Sequence, residues 1–431
     1  MSFGIPVRNG LSISLLSTTS LSSGRGLRPS LALNFLSGTL DSRITFTRSS
    51  AATRVNASGV IESVTANTPR FDYDPVTLAP RGLLAEEQRT NLLLRSEEFD
   101  NAAWSKTRSS VTANTTTAPD GTSTADTLTA QAATGNHAVE NAVSFTSGLT
   151  YAISVYAKAG TSSFLQIMGF STPFGVNAFA NFNLASGAVG TVGSSATASI
   201  QSVGNGWYRC VMVATATGTS TGLAYNMVQS ATSARNESWT AAGTETIFIW
   251  GAQLEAGAFA TSYIPTVASQ VTRSADVATI TGANFSQWFN AAEGTLVVEA
   301  TTSGDILSSY SSTILDASVT NIIGTDIDSS GAYRLRVTAA SVNQALVGVV
   351  NPVAANTTYK LAGAYRVNDF AASANGGAVG TDTSGTVPTG LSYLAIGSSS
   401  SVGANSWNGH IRSIKYFPTR LSNAQLQALT A

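Results

Sequence analysis

The sequence predicts an all-β protein made of two antiparallel β-sandwich domains preceded by an extended N-terminal arm. Three observations predict it. Short segments alternate apolar and polar residues with a period of two. In Tyr151-Ala-Ile-Ser-Val-Tyr-Ala-Lys158, the side chains of Tyr151, Ile153 and Val155 point one way, and those of Ser154, Tyr156 and Lys158 the other. Turn residues separate such segments, as in Leu184-Ala-Ser-Gly-Ala188 and Val203-Gly-Asn-Gly206. Helical periodicity is almost absent, while 43% of the 431 residues are hydrophobic, enough to fill more than one core.

Composition narrows the function. Only 11% of the residues are charged, against roughly 25% in an ordinary soluble protein. The 23 Lys and Arg nearly cancel the 24 Asp and Glu, so nothing global steers the chain to nucleic acid or to an anionic membrane. Ser, Thr, Ala, Asn and Gly are spread along the chain, which argues against a disordered block. Cys210 is alone, and His137 and His410 lie far apart, which disfavours a disulfide, a thiolate cluster and a histidine-based triad. The apolar stretch Leu11-Ser-Ile-Ser-Leu-Leu-Ser17 is broken by serines, so neither a signal peptide nor membrane insertion is expected.

Along the chain, residues 1–29 carry Gly4, Pro6, Gly10, Gly24, Gly26 and Pro29, which suit an extended arm. Residues 30–94 read as a β-rich connector. Arg43-Ile-Thr-Phe-Thr-Arg48 alternates as a strand, Asn56 to Gly59 supplies a turn between two more, and Pro75 and Pro80 interrupt regular structure. A short helix from Glu86 to Leu94 is left open. Residues 95–265 form one sandwich, with strands at Phe182-Asn-Leu184, Trp207-Tyr-Arg-Cys-Val-Met-Val213 and Thr246-Ile-Phe-Ile-Trp250. Residues 266–431 form the second, and Thr272-Arg-Ser-Ala-Asp276 near its start echoes Thr47-Arg-Ser-Ser-Ala51. A terminal helix is expected after an N-cap at Ser422, anchored by Leu426 and Leu429.

Three sets of residues carry a family resemblance. Leu40-Asp-Ser-Arg-Ile-Thr-Phe-Thr-Arg-Ser-Ser-Ala-Ala-Thr53, Pro69-Arg-Phe-Asp-Tyr-Asp-Pro75 and Gly82-Leu-Leu-Ala-Glu-Glu-Gln-Arg-Thr-Asn-Leu92 together resemble a signature of bacteriophage virion proteins of the tail-fibre and head-fibre kind. Phe99-Asp-Asn-Ala-Ala-Trp-Ser-Lys106, Gly204-Asn-Gly-Trp-Tyr-Arg209 and Trp250-Gly-Ala-Gln-Leu-Glu-Ala-Gly257 resemble a carbohydrate-binding jelly roll. Glu293-Gly-Thr-Leu-Val-Val-Glu-Ala300 and Trp407-Asn-Gly-His-Ile-Arg-Ser-Ile-Lys-Tyr-Phe417 are similar to concanavalin A-like or laminin G-like sandwiches. The resemblance implies a virion protein, docked through its arm to other virion proteins, and a homotrimer.

Candidate chemistry is sparse. Asp72 with Asp74 and Glu86 with Glu87 are the available carboxylate pairs for a glycosidase. Asp72 and Asp74 sit in a Pro-bounded turn that favours local backbone bonding, and adjacent Glu86 and Glu87 would diverge. Asp326-Ile-Asp-Ser-Ser-Gly331 opens like a calcium loop but has Val337 where a terminal Glu is needed, so a hairpin turn is expected. No cofactor is expected, and structural calcium stays open. For sugar, an exposed ring flanked by polar groups is required. Trp239 answers best, in a polar loop with Arg235 and Asn236, and Tyr225 adds to it from the preceding strand. The alternative for Trp239 is packing against a neighbouring subunit or the sandwich edge. Trp104, Trp207, Trp250 and Trp407 read as core, and Trp288 as the anchor of a short amphipathic turn.

The expectation is a non-enzymatic virion structural protein whose sandwiches attach to host-surface glycan. A decoration protein without sugar binding is the alternative. A polysaccharide depolymerase is disfavoured because no solenoid repeat or convincing acid pair is visible.

Overall fold

The computed structural model describes residues 27–302, 309–350 and 352–431, and among them the chain is all-β apart from a few short helical turns and one terminal helix. The expected arm, 1–29, lies almost wholly outside the described residues. Two sandwiches are present. The larger encloses one core between an eight-stranded and a seven-stranded sheet, and the smaller does so between two six-stranded sheets.

The larger sandwich draws strands from distant parts of the chain. Glu293–Thr301 pairs with Thr358–Arg366 on one side and Gly409–Phe417 on the other. Gly409–Phe417 then receives Leu31–Asn34 and Pro80–Ala85, and Thr45–Thr47 joins the seven-stranded sheet through Val277–Thr281. Residues 30–94 are therefore not a free-standing connector, which corrects the sequence reading. Leu31, Leu33, Phe35, Phe71 and Leu83 enter the same core as Leu296, Ile314, Leu335, Trp407 and Tyr416. Gly82 permits the close approach. Its φ is +109°, and a Cβ there would stand 2.4 Å from the Ile411 carbonyl oxygen.

The smaller sandwich is an insertion into the larger. Arg89–Asn91 and Val271–Arg273 pair antiparallel, so the chain leaves and returns through one two-stranded neck. The helix left open for Glu86 to Leu94 is replaced by this strand, held by Asn91. The Asn91 amide donates to the carbonyls of Ala252 and Ile264 at 3.1 and 2.8 Å, and its oxygen accepts from the amides of Leu93 and Leu254, both at 3.1 Å. All four bonding positions of a fully buried side chain are thus filled.

The expected core tryptophans Trp104, Trp207, Trp250 and Trp407 are all buried, and Trp288 packs beside Phe285 just after a short helical turn, Ala283–Ser286. The terminal helix Asn423–Thr430 carries a capping box between Ser422 and Gln425, and Leu426 packs it on Val297 and Phe417 of the eight-stranded sheet.

Between the sandwiches, the hairpin of Ala52–Val55 and Ile61–Val64 lies on the outer face of one six-stranded sheet, where Ile61 shares a cluster with Tyr156, Trp207, Trp250 and Tyr263. Beside it sits a buried ionic network. Asp276 accepts from Arg48 at 3.0 Å, from Arg70 and from the Glu86 amide at 3.0 Å. Glu86 accepts from Arg70 at 2.7 Å, from Arg273 at 2.8 Å and from the Ser262 amide and hydroxyl at 2.8 and 2.7 Å. Arg48 also donates to the carbonyls of Ser50, Thr65 and Thr68. The two Thr-Arg-Ser segments lie side by side, with the Ser49 and Ser274 hydroxyls 2.7 Å apart. Ser262 belongs to the inserted sandwich, so the network ties the two bodies together.

Breaking such a network leaves buried charge without a partner, which costs about 3–5 kcal/mol. Asp276→Ala should therefore lower the unfolding free energy by about 3–5 kcal/mol in urea titrations followed by tryptophan fluorescence. A loss below about 1 kcal/mol, the range of an exposed pair, would show that the network is not what holds this junction.

Candidate functional site

A cleft of about 400 Å³ opens between the sandwiches. One wall is the outer face of the six-stranded sheet that carries Ala196–Gly204 and Trp207–Thr215. Alternation sends Cys210, Met212 and Ala214 to the core, which turns Arg209, Val211 and Val213 outward. Register places Thr197 opposite Val213, Ser199 opposite Val211 and Gln201 opposite Arg209. The result is a half-buried apolar strip beside an exposed row of hydroxyls and one amide. The facing wall comes from the hairpin at Thr53 to Ile61, from Asp72, Leu84 and His410, and from a loop of the larger sandwich that carries the exposed Asn356.

Most charges on the cleft are already partnered. Arg54 holds Glu62 at 2.7 Å, Arg81 holds Asp74 at 2.7 Å, and Asp72 takes the His410 imidazole at 2.8 Å and the Val55 amide at 2.6 Å. Burial alone would push the Glu86 carboxyl up, but the Arg273 and Arg70 guanidiniums overcome it and hold Glu86 well below the usual carboxylate range. Burial likewise works against the charge on Arg70, yet Asp276 and Glu86 raise it above the ordinary guanidinium value. Glu86 and Arg70 are thus each held in the charged form by the other and by their neighbours.

The residues expected to bind sugar do not converge. Tyr225 is fully buried among Phe99 and Trp104, donates its hydroxyl to the Ser154 carbonyl at 3.0 Å, and has its phenol pKa pushed well up by burial. Trp239 is only 7% exposed, with its ring centroid 4.6 Å from that of His137 and its indole N–H donating to Met227 at 3.3 Å. Neither ring offers a face on which a sugar could stack, a correction to the expectation. Arg235 and Asn236 lie across the sheet from Tyr225. Their loop is tied down where the Asn236 amide donates to Gln166 at 2.7 Å, Arg235 donates to the Gly169 carbonyl at 2.9 Å, and Asn181 donates to the Ser233 carbonyl at 2.7 Å. Asn236 itself remains exposed. The loop looked polar because it covers a polar ladder, Gln166 with Asn181.

Asp74 accepts from the amides of Val76 and Thr77, as the turn reading expected. Asp326 and Asp328 flank a hairpin between Ile322–Ile327 and Tyr333–Ala339, and Arg334 bridges them at 3.1 and 2.6 Å. Among the described residues no group of three or more His, Cys, Asp or Glu side chains is placed to hold a metal ion. No helix among them is long and apolar enough to cross a membrane. Sequence reasoning did not single out Arg209, Gln201 or Asn356. The signal for Arg209 was its place out of phase with the apolar period of Trp207–Thr215.

No family model and no curated protein matches the chain. Among solved structures it is similar to the CBM40 of the Ruminococcus gnavus IT-sialidase, at 16% identity and a TM-score of 0.29 over 33% of this chain and 84% of that one. It is similar also to domains LG4-5 of the mouse laminin alpha1 chain, at 11% identity and a TM-score of 0.24 over 64% of this chain and 84% of that one. A tail fiber protein from an E. coli phage matches at 9% identity and a TM-score of 0.21, over 68% of this chain and 35% of that one. At these values the likenesses carry no argument about ligand or origin.

Glu86 and Asp126 make stability depend on pH in a defined way. Folded Glu86 binds its proton more weakly than the unfolded chain does, so acid favours unfolding once pH falls through about 4. Asp126 acts in the opposite sense. Burial raises it to about 6 despite the backbone amides of Phe99 and Asn114, each donating at 2.9 Å. The folded state therefore binds the extra proton between about pH 6 and 4. Urea unfolding measured from pH 7 to 3 should show stability rising toward about pH 4 and then falling. Asp126→Asn should flatten the first limb, and Glu86→Gln the second. A profile in which both variants keep the wild-type limbs would contradict these assignments.

Proposed function

We propose that this chain is a non-enzymatic bacteriophage virion protein, of the tail or head fibre kind, that attaches to host-surface glycan through the cleft between its sandwiches. The observation that carries the reading is the cleft wall itself. Sugar recognition needs apolar surface for the C–H face of the ring and polar groups at its edge for the hydroxyls. Val211 and Val213 supply the first, and Thr197, Ser199 and Gln201 the second, with Asn356 across the opening. The signature residues that resemble phage fibre proteins support the virion role, and avidity from a trimer would multiply weak single-site contacts.

Non-enzymatic action is supported by the state of the carboxylates that line the cleft. Asp72 is bonded to His410, and Glu86 to two guanidiniums. Neither is free to serve as the acid or the nucleophile of a glycosidase pair.

The test is binding of the purified protein to immobilised lipopolysaccharide and capsule fragments of the host. Gln201→Ala combined with Asn356→Gly removes two hydrogen-bonding groups, and glycine suits the positive φ of 53° at position 356. At about 1 kcal/mol per bond, affinity should fall roughly tenfold or more with stability preserved. Absence of glycan binding, together with full occupancy on assembled particles, would favour the decoration protein. Release of reducing ends from the polysaccharide would overturn the non-enzymatic reading.

A further inference from the structure

The geometry points to a carboxylate-bearing sugar as the ligand of the cleft, received by Arg209. The inference rests on the glycan reading above and specifies its chemistry.

Arg209 differs from the other charged side chains on the cleft. Arg54, Arg81, Asp72 and Glu86 each hold an oppositely charged or ionisable partner at 2.8 Å or less. Among the described residues Arg209 has no carboxylate partner. One Nη2 hydrogen bond to the Ser154 hydroxyl, long at 3.3 Å, is its contact with a polar side chain, and its Nε is buried without a partner. The guanidinium is nevertheless held in place. Its carbon lies 5.4 Å from the Tyr156 ring centroid, a cation–π distance. Tyr156 is itself fixed beneath it, edge-on to Trp250 and Tyr263.

A positioned guanidinium with unused donors is the group that reads a planar carboxylate by two parallel hydrogen bonds. Its register partner Gln201 stands beside it on the exposed row, close enough along the wall for one sugar to present a carboxylate to Arg209 and a hydroxyl to Gln201. One unpaired cation among the described residues that line the cleft suits a monoanion. A phosphate group would bring a second negative charge toward Asp72 and Glu86, which line the same cleft.

The experiment uses a panel of polysaccharides containing galacturonate, glucuronate or sialate, each paired with its carboxyl-reduced form, and measures binding of the full chain. The expected result is at least one acidic polymer bound about tenfold or more tightly than its reduced form. Arg209→Gln should bind the two forms equally, and Arg209→Lys should keep part of the preference. Circular dichroism and urea unfolding of both variants should match the wild type, so that a folding defect is recognised. Equal binding of both forms by the wild type, or an undiminished preference in a folded Arg209→Gln, overturns the role of Arg209 and leaves the glycan reading standing. Binding of neither form across the panel overturns both.

Discussion

The structure depends on a set of charges removed from water. Arg48, Arg70, Arg273, Glu86 and Asp276 lie together between two sandwiches, each at most 6% exposed. Taking such groups out of water is expensive, and the cost is recovered only when every partner is present in good geometry. The network is therefore close to all-or-none. These charges come from the strands at the start of the described chain and from the neck, and Ser262 of the inserted sandwich bonds to Glu86, so the full set of contacts forms only when these parts are docked in one arrangement. The choice of cation fits this role. Four of the 23 basic residues are Lys and the rest Arg, and the guanidinium's planar fork bridges two carboxylates where an ammonium could not do so as directionally.

The low overall charge takes on a definite meaning in this light. A chain with 11% charged residues places a share of them inside, where they orient one body against another, and leaves Ser, Thr and Asn over much of its strand surface. The cleft is a product of that orientation. One wall is a sheet face of the inserted sandwich and the other belongs to the larger one, so its shape depends on how the two are docked.

Much of the fold was legible in the sequence. Alternation identified strands at Tyr151, Trp207 and Thr246, the core tryptophans followed from their strand positions, and Ser422 marked the start of the last helix. What the sequence hid was partnership. Arg48 and Asp276 are 228 residues apart, and Glu86 and Asp276 190. No local pattern states that they meet, although the echo between the two Thr-Arg-Ser segments was a trace of it. For the same reason the strands at Leu31 and Pro80 read as a connector, when their hydrogen bonds run to the Gly409–Phe417 strand. The burial of Trp239 was hidden for a different reason. Trp239 stands in a polar loop, and polar loops usually face water, but Gln166 and Asn181 draw this one down onto the sheet.

The central claim is that the buried network makes the two sandwiches one thermodynamic body. Scanning calorimetry of the intact chain tests it most directly. The account predicts one transition whose calorimetric and van't Hoff enthalpies agree. Two resolved transitions, one for each sandwich, would contradict it.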